Sequence, residues 1–69
     1  MKYGIWHPSQ NCWYGMAYLT EMPSQYQKCL NKSDGRFETD DINAAFLYLE
    51  LCHKHRDTDN GIAYVKEKE

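Results

Sequence analysis

The stretch "TDDINAAFLYLELCHKHRDTDNG", residues 39–61, constrains this chain more than any other, because it encodes one helix with more apolar surface than one layer can cover. Thr39 offers a hydroxyl to cap a helix, and Asp40 and Asp41 suit the positive end of its dipole. Lys54, His55 and Arg56 suit the negative end, and "DTDNG" supplies the turn chemistry that stops it. The pattern predicts a helix over about 40–56. At roughly 100° per residue, Ile42, Ala45, Phe46, Leu49, Cys52 and His53 share one stripe, the natural side to lie on a sheet. Ala44, Leu47, Tyr48, Leu51 and His55 form a second stripe, where a surface helix is normally polar.

Two expectations follow from that second stripe. Either the 21–35 segment folds over it, or it docks against a protein partner or a second copy of the chain. In the second case the contact residues are Leu47, Tyr48 and Leu51, extended by the hairpin aromatics Trp13 and Tyr14. Replacing both Leu47 and Leu51 by Asp then leaves the monomer folded.

Size sharpens the question. A chain of 69 residues makes one domain, 1–69, and hides only about 60% of its unfolded surface. Leu, Ile, Val and Phe supply just 11 residues, so six Tyr and two Trp must provide core volume. "KYGIWH" alternates Tyr3, Ile5 and His7 against Lys2, Gly4 and Trp6, which predicts a strand. With the turn "PSQN" and the aromatic run "CWYGMAYLT", it reads as a hairpin of 2–7 against 12–20, with a possible bulge at Gly15. Residues 25–30 read as a third strand or irregular segment, the alternative being a short helix opened by Pro23, and "KSDG" reads as a turn. "IAYVKEKE" alternates as a last strand. The expected class is α+β: a small antiparallel sheet of three to four strands with one main helix packed on it, in the order β-β-(β or short α)-α-β.

Composition narrows function by exclusion. The net charge is −2, and no basic patch could neutralise the several phosphates that a duplex presents. No apolar run approaches the roughly 20 residues of a membrane span, and the start lacks the apolar core of a secretory signal. The expected location is the cytoplasm, with three reduced, mostly buried thiols. Trp6, Trp13, Tyr14 and Tyr18 suggest a platform for single-stranded bases, but that mode needs interleaved cations and the hairpin carries only Lys2. Cys52 and His55 lie three apart on the helix and could share zinc with two of His7, Cys12 and Cys29, although no closely spaced cysteine pair is present. No cofactor is expected. Nor is catalysis: helical geometry turns His53 and His55 away from Cys52, and Asp57 and Asp59 read as solvated loop carboxylates.

The half from Gly35 onward, with Phe37, a Thr39 cap, Ala45 facing inward and a last strand ending in charges, resembles the endings of very small phage and prophage accessory proteins. It departs from that pattern in the long 21–35 insertion and in its unusually apolar helix. The resemblance implies a binding role, as an inhibitor of a host enzyme or defence system or as a regulator, in the host cytoplasm. The leading expectation is therefore a non-enzymatic protein-interaction module, possible as a homodimer. A zinc-stabilised domain comes next, and a single-strand binder third.

Overall fold

A computed structural model describes residues 1–30 and 35–68. It has the expected α+β architecture, with a three-stranded antiparallel sheet and one main helix. Strand β1 (Lys2–His7) is central, flanked by β2 (Cys12–Trp13) and β3 (Tyr64–Lys68). Helix α1 (Ser24–Gln27) is a single short turn, and α2 (Ile42–Lys54) is the main helix. Residues 24–27 are thus helical and not strand: Pro23 stands just before them with its fixed φ, as the helical alternative required. The turn expected at "KSDG" falls largely on residues outside those described.

β1 alternates as its sequence implies. Ile5 and His7 point into the core, and Tyr3 packs against it. The hairpin is shorter than expected, because only Trp6–Trp13 and His7–Cys12 pair before the chain turns away. β3 then takes the other edge of β1 in the register Trp6–Tyr64, Ile5–Val65, Gly4–Lys66, Tyr3–Glu67 and Lys2–Lys68.

The start of α2 divides the expected capping role between two residues. The Thr39 hydroxyl accepts from the Asp41 backbone N–H at 3.1 Å, and the Asp41 carboxylate caps the helix by accepting from Asn43 N–H at 2.9 Å. Asp40 and Asp41 therefore precede the first turn instead of lying within it.

The helix settles between its two apolar stripes. Its fully buried residues are Ala45 and Cys52 from the first, with Ala44 and Tyr48 from the second. Tyr48 is wholly enclosed, its ring stacked on Phe37 at 3.9 Å. Its hydroxyl donates to Gly15 O at 3.0 Å and accepts from Tyr18 N–H at 3.1 Å. A phenol suits this position because its apolar body fills the core while its polar tip satisfies two backbone groups. The second stripe is consequently covered within the chain, by Tyr14, Tyr18 and Leu19 together with the described part of the 21–35 segment, from which Met22 is buried in this core and Tyr26, Cys29 and Leu30 pack against it. The rotation turns Ile42 and Phe46 outward, 42% and 51% exposed.

Candidate binding face on the sheet

Of the residues expected to meet a partner, Tyr48 is at the centre of the core and is unavailable to one. Leu47 and Leu51 are half-buried and pack against that core. Tyr14 lies on the inner side, stacked on His7 at 4.6 Å, and donates its hydroxyl to the Asp57 carboxylate. Tyr18 donates to the same carboxylate oxygen at 2.8 Å and stacks on His55 at 4.1 Å. Asp57 is thus a network residue and not the solvated loop carboxylate that its turn sequence suggested. The donated hydrogen bond from Tyr14, reinforced by Tyr18, holds its pKa below the usual carboxylate value. Burial and the same carboxylate hold the Tyr14 phenol well above its ordinary value, so it stays protonated.

The cysteine and histidine side chains disperse. Cys52 is fully buried, and desolvation pushes its thiol up to about 12, so it is neither a thiolate nucleophile nor a ready ligand at neutral pH. His55 Nε2 sits 2.6 Å from Glu21. Cys29 donates to Tyr26 O at 3.0 Å and accepts from the Thr39 hydroxyl, while Cys12 leans toward Gln10. His7 is buried, with no partner in the structure for its Nε2. Among the described residues no three His, Cys, Asp or Glu side chains gather in a geometry that could hold a metal ion.

The chemistry of interest lies on the opposite side of the sheet. Directly paired residues of antiparallel strands project to the same face. The registers therefore place Lys2, Gly4 and Trp6 of β1 beside Trp13 of β2 and Tyr64, Lys66 and Lys68 of β3. Trp6 and Trp13 meet edge to face, their centroids 5.0 Å apart. Lys66 Nζ stands 4.5 Å from the Trp6 ring centroid and 5.9 Å from that of Trp13. Lys68 Nζ stands 5.0 Å from the Trp13 centroid. These are cation–π distances: the ammonium groups themselves stand over the indoles and give this face a positive field.

Gly4 makes this packing possible. A Cβ there would come within 2.9 Å of Trp13 Cε3, 3.0 Å of Lys68 Cδ and 3.2 Å of Phe37 O. Glu38 anchors one end of the face, accepting from Lys2 at 3.3 Å and from Lys68 at 3.2 Å. At the β2 edge, Arg36 Nη1 donates to Trp13 O at 3.3 Å. Glu67 pairs with Tyr3 and so belongs to the other face.

Sequence reasoning identified the rings but missed their cations, which come from a strand more than fifty positions away. The legible signal was the period-two pattern of Tyr64, Lys66 and Lys68, which had only to be set against β1. Comparison with protein-family models, curated proteins and solved structures finds no match for the chain. No helix among the described residues is long and apolar enough to cross a membrane.

Proposed function

We propose that this chain is a small, non-enzymatic binding module whose working surface is the outer face of its sheet, and that its partner is anionic. The observation carrying this reading is the placement of Lys66 and Lys68 against Trp6 and Trp13. Indoles supply large, rigid contact area at low entropic cost, and the surrounding cations steer a partner of opposite charge. The titratable groups of the inner side support a binding role over a catalytic one. Asp57 is occupied by two tyrosine hydroxyls, the Tyr14 phenol is held protonated, and the Cys52 thiol is buried. A regulator or inhibitor of the kind found among small phage accessory proteins would act in this way.

Retention on a heparin column at low ionic strength tests the reading. The wild-type protein, acidic overall, is expected to bind and to elute as salt is raised. Lys66→Glu, which alters an exposed side chain, is expected to flow through with an unchanged melting temperature. Failure of the wild-type protein to bind at low salt would remove the proposal.

A further inference from the structure

Resting on that reading of the outer face, we infer that its anionic partner is single-stranded nucleic acid, with bases stacked on the indoles and phosphates held by the flanking lysines. The mode requires aromatic ring faces on a sheet, each able to stack a base, with cations interleaved. Here Trp6, Trp13 and Tyr64 lie on three adjacent strands, and β3 contributes the cations that the hairpin lacks. Lys66 and Lys68 are two residues apart on one strand, so their stems leave the backbone roughly 7 Å apart, a spacing that suits successive phosphates of an extended strand.

Charge complementarity favours an anionic polymer on this face. Lys2, Lys66 and Lys68 all project there, and Glu38, the carboxylate paired with them among the described residues, bridges Lys2 and Lys68. Lys66 is exposed and contacts rings alone among the described interactions, so its ammonium can swing from the Trp6 face to a phosphate without breaking an ion pair. A duplex is a poor fit. Among the described residues this face is a sheet surface with no helix projecting from it to enter a groove, and stacking needs unpaired bases.

The test is tryptophan fluorescence titrated with a twelve-nucleotide oligothymidylate, its abasic phosphodiester counterpart, a hairpin duplex, and polyglutamate of equal charge. Saturable quenching by the oligothymidylate is expected, with weaker binding of the abasic strand and the duplex. About two neutralised phosphates give a slope near −1.4 for log K against log salt. Lys66→Glu is expected to weaken binding about tenfold, and Trp6→Leu to weaken the oligothymidylate more than the abasic strand. Equal affinity for abasic and base-bearing strands overturns the inference. Binding of polyglutamate without binding of the oligonucleotide also overturns it, but leaves the anionic docking face standing and identifies an acidic protein segment as the partner. If neither polymer binds, both readings fall.

Discussion

Tyr48 shows how much one side chain organises in a chain this small. Its ring fills the space between Phe37 and the 14–22 segment, and its hydroxyl joins Gly15 to Tyr18 across the helix. Tyr48→Phe keeps the volume but leaves a backbone carbonyl and a backbone N–H without this partner. The expected cost is about 1–3 kcal/mol, read from the midpoint of urea unfolding. A loss below a few tenths of a kcal/mol would mean that water replaces the hydroxyl freely. At Gly4 the test concerns volume. Gly4→Ala forces a methyl against an indole and a backbone carbonyl, so a destabilisation of about 1–3 kcal/mol is expected, together with a change in the near-ultraviolet signal of Trp13. That Gly4 must be glycine was not legible from "KYGIWH", because the ring lying over it belongs to another strand.

At the scale of elements, α2 illustrates where periodicity stops being informative. A helix with two apolar stripes defines its own axis but not which direction faces the sheet, and here the buried direction lies between them. The deciding interactions are non-local: the Tyr48 hydroxyl donates to Gly15 O and accepts from Tyr18 N–H, and the Tyr18 ring stacks on His55. Leu51 consequently packs against the core while Phe46 faces solvent. Leu51→Asp is expected to destabilise by more than 2 kcal/mol, as an unpaired charge at a partly apolar site does, whereas Phe46→Asp should remain within about 0.5 kcal/mol of wild type. Thermal melts of the two variants decide the orientation, and the reverse ranking would turn the helix around. The strand pattern was more legible: alternation in β1 separated Ile5 from Lys2, whereas alternation in β3 left open which set faces inward until the register set Val65 beside Ile5 and Lys66 beside Gly4. The lysines of β3 also blunt an open sheet edge, so a binding face and protection against edge pairing use the same residues.

The whole molecule divides into two sides with different chemistry. The inner side is a hydrogen-bonded aromatic core in which the Asp57 pKa is lowered and those of Tyr14, Tyr48 and Cys52 are raised. Asp57, with its pKa lowered, contributes stability that is present above the ordinary carboxylate value and lost as pH falls through the lowered one. Tyr48 and Cys52, both pushed up to about 12, contribute stability that is present below their unfolded values and lost as pH rises toward 12. Circular dichroism against pH should therefore show a plateau through neutrality, an acid transition below about pH 4 and an alkaline one above about pH 9. Cys52→Ala should move the onset of the alkaline limb upward, whatever its effect on the plateau.

The outer side carries the proposed function, and its solution signature is local. The two indole N–H groups give separate signals in a proton–nitrogen correlation spectrum, well away from the amide envelope. Titration of labelled protein with oligothymidylate at low salt is expected to shift the indole signals of Trp6 and Trp13 and the amides of Lys66 and Lys68, while Ile42 to Phe46 on the helix stay in place. Shifts confined to that helix face, or no shifts at all, would contradict the assignment of the sheet as the binding surface.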